Sequence, residues 1–324
     1  MLGSIAIPCG VSATKTAPLA LIPPTPLESD FAMTTTAHDP SNTVETGLEA
    51  VDTSPKRGFG ERRFGKVNWL GLRTLYMKEV RRFLKVAFQT VFAPLISTLL
   101  FLFVFMQAFG SMRAPVNGVP YIEFLAPGLV MMTILTNAFA NSSSSLIIGK
   151  VQGSIVDVLT PPLSAAELTA AFVVGAATRG VMVGAATAMT SAAFMAFSDT
   201  PMQIANLGVI LYFALAAALM FAMLGVLGGV WAEKFDQLAA MQNFVITPLT
   251  FLSGTFYAIS SLSEPFVTLS RANPVFYLID GFRSGFTGVS EAPFALAFVV
   301  TLGLDIILLL VCYRVFKAGW RLKP

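Results

Sequence analysis

The sequence predicts an all-α membrane protein with six transmembrane helices and an amphipathic helix in front of them. Six largely uncharged stretches of about 20 or more residues are each long enough to cross a hydrocarbon core about 30 Å thick. Hydrophobic residues make up 55% of the chain and charged residues only 12%, which is too little charge to cover a soluble surface. The stretches are Phe88–Phe109, Phe124–Ile148, Leu168–Phe197, Met202–Trp231, Leu238–Ile259 and Pro293–Tyr313.

The composition divides the chain into three segments. Residues 1–55 are predicted to be disordered, because Pro, Thr, Ala and Ser dominate there without a helical period. Residues 56–87 form a basic amphipathic segment, and residues 88–324 form the six-span domain. The sequence is compatible with a translation start at Met1 or at Met33.

The basic residues predict the orientation of the spans. Threading six spans places sixteen Lys and Arg residues on the side that holds both termini and three on the opposite side. Because Lys and Arg accumulate on the cytoplasmic side of membrane proteins, both termini are predicted to be cytoplasmic. The basic residues lie next to the spans, so the pI of about 8.9 does not indicate nucleic acid as a partner.

The segment before the first span has a helical pattern. Its apolar residues recur at helical spacing and predict one stripe, formed by Trp69, Leu72, Tyr76, Val80 and Phe83. Such a helix lies in the headgroup plane of the membrane with its bases towards anionic lipid. A simple membrane anchor and a docking site for a partner both remain open. The charged residues singled out on its polar face are Lys78, Glu79, Arg81 and Arg82.

The loop between the second and third stretches contains a short predicted helix, Ser154–Leu159. Pro161 and Pro162 stop it, because proline has no backbone N–H and clashes inside a helix. Ser164 with Glu167 three residues later forms a capping-box pattern that opens the third span. A rigid lever for an attached partner and an ordinary connector both fit this pattern. If the helix is a lever, its apolar side, formed by Ile155, Val158 and Leu159 at helical spacing, is expected to contact the partner.

Several site chemistries are excluded by residue content. The single histidine, His38, lies in the tail, so imidazole metal sites, Ser-His-Asp triads and intramembrane histidine relays are ruled out. Cys9 and Cys312 provide no disulfide framework and no zinc spacing. No GxxxxGK[ST] loop occurs in the sequence, so nucleotide-driven work requires a partner.

Five segments in register resemble the type-2 ABC exporter permeases, over about residues 66–320. The likeness is greatest to the drug, nodulation-factor and polysaccharide exporter branch. The chain departs from that pattern where members commonly have proline soon after the SGxFY motif and a Leu-Pro pair in the following loop. It has Ala258-Ile259 and then Leu262-Ser263-Glu264-Pro265, which leaves the shape of the external 260–290 loop open. The segments are MKEVRRF (77–83), FLAPGLVMMTILTNAFANSSSS (124–145), GSIVDVLTPPLS (153–164), TPLTFLSGTFY (247–257) and RANPVFYLIDGFRSGFTG (271–288).

The resemblance implies the permease subunit of a bacterial exporter, located in the inner membrane. It implies a homodimer that binds two copies of a separate ABC ATPase, with ATP and Mg²⁺ on that partner and no cofactor or catalytic residue on this chain. Short re-entrant helices are expected before the last span. The exported substrate is left open among drug, lipid and glycan. The implied coupling helix comprises Ile155, Val156, Asp157, Val158 and Leu159, and the signature residues are Ser253, Gly254, Phe256, Asn273, Pro274 and Arg283.

Two charges fall inside predicted spans, Arg179 in the third and Asp305 in the sixth. Because a charge in the membrane is costly and usually faces the bundle with a partner, these residues indicate a transport path or gate, a buried ion pair, or an arginine capped by carbonyls. We hypothesise that the two form an ion pair with each other. The candidate substrate path is placed instead on the second and fifth spans, at Met131, Asn137, Asn141 and Phe251.

Two other function classes compete with export. A secondary transporter or a channel not coupled to ATP is the first alternative. The lack of detectable inverted repeats and the scarcity of acidic or histidine residues for proton coupling argue against it. The second is an intramembrane hydrolase that uses a serine between Ser142 and Ser145. No suitable base accompanies those serines in any span, which argues against a nucleophile there.

Overall fold

The computed structural model describes residues 67–109, 115–197 and 201–321. The predicted disordered tail and the first part of the predicted basic segment lie outside these ranges. Within them the secondary structure is helical apart from one isolated bridge between Val116 and Val119, so the predicted all-α class is confirmed. The α-helices are α1 (Trp69–Leu84), α2 (Ala87–Phe109), α3 (Tyr121–Val151), α4 (Ile155–Leu159), α5 (Ala165–Ala196), α6 (Leu207–Trp231), α7 (Phe235–Met241), α8 (Thr247–Phe251), α9 (Phe266–Ala272), α10 (Pro274–Thr287) and α11 (Phe294–Ala318).

Five of the helices in the described ranges are long and apolar enough to cross a membrane: α2, α3, α5, α6 and α11. They correspond to the first four predicted stretches and the last. The predicted stretch Leu238–Ile259 forms a continuous helical run instead, in which α7 passes through a π-helix (Gln242–Ile246) into α8. This run covers residues 235–251 and is about 26 Å long at 1.5 Å per residue.

The π-helix in this run has a local cause. Pro248 has no N–H to donate to the carbonyl four residues before it, and the wider turn lies immediately before that proline. The hydroxyl of Thr247 donates at 2.9 Å to the carbonyl of Gln242, which also accepts from the backbone N–H of Thr247 in the wider turn. The run ends at Phe251, before the predicted boundary, and the backbone turns at Gly254, whose φ is +75°.

One end of the molecule, called the base, holds the C-terminal ends of α3, α6 and α11. The ammonium group of Lys150 donates to the carbonyls of Val230 and Ala232, the latter at 2.9 Å. Arg321, beyond α11, donates to the carbonyl of Trp231 at 2.8 Å. Because α7 begins only a few residues after Trp231, the run of residues 235–251 starts at the base.

The opposite end, called the cap, holds the end of that run. Arg283 on α10 donates to the carbonyl of Phe124 at the start of α3, at 3.0 Å, and to that of Gly254 beyond α8, at 2.8 Å. The backbone N–H of Asn206 before α6 donates to Gly285 at 2.8 Å. The run therefore crosses from base to cap, and with the five long helices it completes six crossings.

The core is built around α3, which is packed between α5 and α6. A Cβ at Gly225 of α6 would lie 2.2 Å from Ser142 Oγ and 2.4 Å from the carbonyl oxygen of Phe139. A Cβ at Gly184 of α5 would lie 2.2 Å from a side-chain carbon of Ile134. Glycine thus allows the backbones to approach closely, which is how helices associate within lipid.

The helix α1 packs against α5 through a face that overlaps the predicted stripe and is centred to one side of it. Its buried residues are Leu75, Glu79 and Phe83, whereas Trp69 is 72% exposed. A Cβ at Gly175 of α5 would lie 2.9 Å from Glu79 Cβ, so the carboxylate-bearing side is pressed onto the bundle. The predicted stripe is confirmed in part: Leu72, Tyr76 and Val80 are half-buried and Phe83 is buried, but the pattern included the exposed Trp69 and assigned the buried Glu79 to the polar face.

Candidate functional site

The loop at the base contains the predicted short helix, α4, over Ile155–Leu159. Its orientation differs from the expected one. Ile155 and Val158 are buried against the subunit's own core, whereas Val156 is 48% exposed and Asp157 is also exposed. The expectation that Ile155 and Val158 form a free apolar face is therefore wrong. The outward face is formed by Val156 and Asp157, with Leu159 partly buried.

One carboxylate joins this loop to the start of α1. The predicted capping box is present: Glu167 accepts from the backbone N–H of Ser164 at 2.6 Å, and Ser164 Oγ accepts from that of Glu167. The other oxygen of Glu167 accepts from the backbone N–H of Asn68 at 2.5 Å. The amide of Asn68 also donates to the carbonyl of Pro162 at 3.3 Å. The sequence pattern predicts the contacts between Ser164 and Glu167, and it does not predict the hydrogen bond of Glu167 to Asn68.

A cavity of about 350 Å³ separates α1 from the α4 loop. Thr74 and Lys78 line it from α1, and Asp157 and Val158 line it from α4. The surface combines an exposed cation, an exposed carboxylate and apolar side chains. Below, the docking face means this cavity together with the exposed Val156.

A cluster of charged and amide side chains, in which the two arginines are half-buried and the other members buried, lies further inside, where α1, α3 and α5 meet. This polar centre comprises Glu79, Arg82, Asn137, Asn141 and Arg179. Glu79, only 1% exposed, forms an ion pair with Arg82 at 3.2 Å. Arg82 also donates to the backbone and side-chain oxygens of Asn141, at 2.7 and 2.9 Å.

Serines of α3 complete the contacts with α1. Ser145 donates to Glu79 at 2.8 Å, and Arg82 donates to Ser144 at 3.2 Å. Two of the serines considered as nucleophiles therefore bond to the carboxylate and the guanidinium of α1. A third, Ser142, donates to the backbone carbonyl of Ala222 on α6 at 2.8 Å. Sequence reasoning missed this role, because the partners are about sixty residues apart.

Arg179 does not pair with Asp305, and the expected ion pair is wrong. Arg179 donates instead to the amide oxygens of Asn137 at 3.3 Å and Asn141 at 3.5 Å. One carboxylate oxygen of Asp305 on α11 is buried without a hydrogen-bond partner among the described residues. The physical reason is that the guanidinium of Arg179 is directed at α3, where amide oxygens satisfy part of its donors.

The four candidate path residues separate in the structure. Asn137 and Asn141 lie in the polar centre, Met131 is fully buried in the core, and Phe251 is 39% exposed near the cap. The ring of Phe251 lies 5.4 Å from that of Phe256. These residues therefore do not line one common surface within the subunit.

The signature residues meet at the cap. The amide of Asn273 donates to Ser253 Oγ at 2.6 Å and to the carbonyl of Leu249 at 2.8 Å, while its oxygen caps α10. Pro274 opens α10, and the carbonyl of Phe256 accepts from the hydroxyl of Tyr121 at 3.0 Å. The 260–290 loop thus contains two short helices, α9 and α10, that are fastened to α3 and α8.

Asp280 on α10 is a cap residue that the sequence reasoning missed. Its carboxylate accepts from Ser290 at 2.7 Å and from the backbone N–H groups of Glu291 and Ala292 at 3.0 Å. Burial raises the pKa of the neighbouring Glu291 carboxyl, which accepts from the N–H of Ser260 at 3.2 Å. These bonds fix the turn between α10 and α11.

Comparison with known proteins identifies the family. A family profile described as "ABC-2 type transporter" matches residues 71–287, which include α1, the docking face, the polar centre and the cap. The chain belongs to the ABC-2 transporter family. It is 33% identical over 255 residues to "Inner membrane transport permease YadH" of Escherichia coli (strain K12), covering 79% of this chain and 98% of that protein.

A second group of relatives is more distant. "Nodulation protein J" of Rhizobium leguminosarum bv. trifolii is 28% identical over 221 residues, covering 68% of this chain and 81% of that protein. The resemblance to type-2 ABC permeases is therefore confirmed. This ABC-2 chain is a multi-pass inner-membrane subunit of an ABC transporter, a transport component rather than an enzyme. Membership of the family implies an ABC ATPase as its partner.

Proposed function

We propose that this chain is the permease of an ATP-driven exporter and moves its substrate outward across the inner membrane. Two copies of the chain and two ATPase subunits form the working complex, and ATP and Mg²⁺ bind to the ATPase subunits. The single observation that carries the proposal is the docking face at the base, where an exposed apolar residue, a cation and a carboxylate lie beside a cavity.

The charge distribution supports a cytoplasmic base. Lys150 and Arg321 both bond to the end of α6 at this end, and α1 adds further basic residues there. Excess positive charge marks the cytoplasmic side of membrane proteins. A cytoplasmic base brings the docking face to the compartment that holds ATP.

The packing supports a path between two copies rather than through one. The centre of the subunit is occupied by α3, whose side chains are buried on nearly all sides by α5, α6 and α10. Exposed apolar surfaces lie on α2, on α11 and on the π-helix, where Phe244 is 81% exposed. We infer that the substrate passes along a surface shared by two protomers.

The test uses two valines of α4 with the same chemistry and different exposure. Val156→Asp should leave the amount of folded protein unchanged and remove the ATPase from the purified complex. Truncating a central apolar anchor of an interface often costs about 2 kcal/mol or more, which is roughly a thirtyfold loss of affinity. Val158→Asp should lower the amount of folded protein, because it buries an unpaired charge in the subunit's core.

Each variant is co-expressed with the ATPase and reconstituted into proteoliposomes. Co-purification and ATP turnover are measured against the unmodified pair. Normal ATPase binding and turnover by Val156→Asp would show that α4 is a passive connector and would remove the basis of the proposal. ATP turnover that does not depend on the permease would favour a transporter or channel uncoupled from ATP.

A further inference from the structure

The polar centre contains two cations and one carboxylate. Glu79 is already paired with Arg82, at 3.2 Å. Arg179 has no ion pair anywhere in the described part of the chain, and its two hydrogen bonds are long, at 3.3 and 3.5 Å. Arg179 is half-buried, with its Nε fully buried. A partly desolvated guanidinium without a counter-ion is destabilising, and an added anion relieves that cost.

Two donors of the polar centre also lack acceptors. Arg179 Nε and Asn141 Nδ2 are buried and have no hydrogen-bond partner among the described residues. The orientation of the Asn141 amide is fixed, because its oxygen accepts from the guanidiniums of Arg82 and Arg179. A flipped amide would direct its N–H groups at these two cations. The centre therefore lacks an acceptor, specifically one that carries negative charge.

We propose that Arg179, Asn141 and Arg82 bind a phosphate-type anion, carried by the headgroup of an anionic lipid. Guanidinium groups match the oxygens of phosphate through paired N–H donors and remain charged when they are buried. The anion supplies the missing counter-ion of Arg179 and accepts from the unused amide donor of Asn141.

The surroundings of Arg82 provide the access route. The side chain of Arg82 is 27% exposed and connects the polar centre to an open groove of about 740 Å³ along α1. The basic residues that line this groove are Arg73, Lys78, Arg81, Arg82 and Lys85. A basic groove at the membrane surface concentrates anionic headgroups. The site does not depend on the direction of transport or on the ATPase.

The experiment uses the purified full-length chain in maltoside detergent. It is titrated with a short-chain phosphatidylglycerol, with the matching diacylglycerol and with sodium phosphate, and affinity is obtained from the shift of the unfolding temperature. The phosphatidylglycerol should bind and the diacylglycerol should not. Competition by sodium phosphate would assign the site to a free anion, and no competition would assign it to the lipid headgroup; both outcomes keep the anion chemistry.

Substitutions locate the site. Arg179→Gln should weaken phosphatidylglycerol binding by about tenfold or more, the loss of one charge-assisted hydrogen bond. Arg271→Gln removes the same charge from an exposed position on α9, away from the groove, and should change the affinity by no more than about twofold. Unfolding without ligand is measured in parallel, so a folding defect is recognised directly.

A milder pair keeps the test decisive if Arg179→Gln does not fold. Arg179→Lys retains the charge and loses the planar fork, so it should bind more weakly than Arg271→Lys. Equal affinity of these two lysine variants would overturn the proposal. Binding of phosphatidylglycerol by Arg179→Gln as tight as by the unmodified chain would also overturn it, as would equal binding of the diacylglycerol.

Discussion

Replacing Arg283 by methionine should detach the cap from the six-helix bundle. Arg283 is 4% exposed and donates to two carbonyls, Phe124 at 3.0 Å and Gly254 at 2.8 Å. Its guanidinium also lies 3.6 Å from the centroid of the Phe124 ring. Methionine has a similar length and fills the space, but it provides neither the donors nor the charge.

The magnitude follows from these contacts. Hydrogen bonds from a charged donor are each worth about 1.5–3 kcal/mol, and a desolvated cation–π contact adds about 2 kcal/mol. Removing a buried charge recovers part of its desolvation cost, so we expect a net loss of about 3 kcal/mol. The matched control is Arg271→Met, because Arg271 lies on the adjacent helix α9 and is exposed.

The assay combines the unfolding temperature in detergent with hydrogen exchange. Arg283→Met should lower the unfolding temperature and increase exchange in residues 252–262, while exchange in α3 and α6 stays as in the unmodified chain. Arg271→Met should change neither quantity. Equal effects of the two variants, or a uniform rise of exchange throughout the bundle, would refute the view that Arg283 fastens the cap.

Two further predictions concern packing and orientation. Gly225→Ala should lower the unfolding temperature by the equivalent of about 1–3 kcal/mol, because the added carbon would meet α3 at 2.2 Å. The control is Gly303→Ala, where no atom lies within 4 Å of the added carbon. Equal unfolding temperatures of the two variants would contradict the close approach of α3 and α6. A reporter fused after Lys150 should be active in the cytoplasm and one fused after Ser270 in the periplasm. A periplasmic signal at Lys150 would reverse the assignment of the base.

The sequence predicts the crossings well, because each is a long apolar run that has no alternative in a bilayer. It predicts the end of the fifth run less well. Residues between Leu252 and Ile259 are nearly as apolar as the helix before them, so hydropathy extends the span past Phe251. The turn depends on Gly254 and on contacts with α3 and α10, which no local pattern contains.

Helical faces are harder to predict than helices. On α4 the five residues are apolar on two sides, so periodicity does not decide whether Val158 or Val156 meets the core. On α1 the buried position is held by Glu79, which hydropathy assigns to the surface. Its burial depends on Arg82 one turn later and on Ser145 of α3, and only the folded chain brings these together.

The position of α1 connects the two candidate sites. Lys78 lines the docking face, and the next residue, Glu79, bonds to α3 inside the polar centre. A helix backbone moves as a unit, because each turn is hydrogen-bonded to the next. A displacement of α1 by a partner at the base therefore also displaces the carboxylate that holds Arg82. Through Glu79 and Arg82, α1 is directly bonded to α3 in the polar centre. Because these bonds involve charged groups, a small shift of α1 changes the interactions of the polar centre.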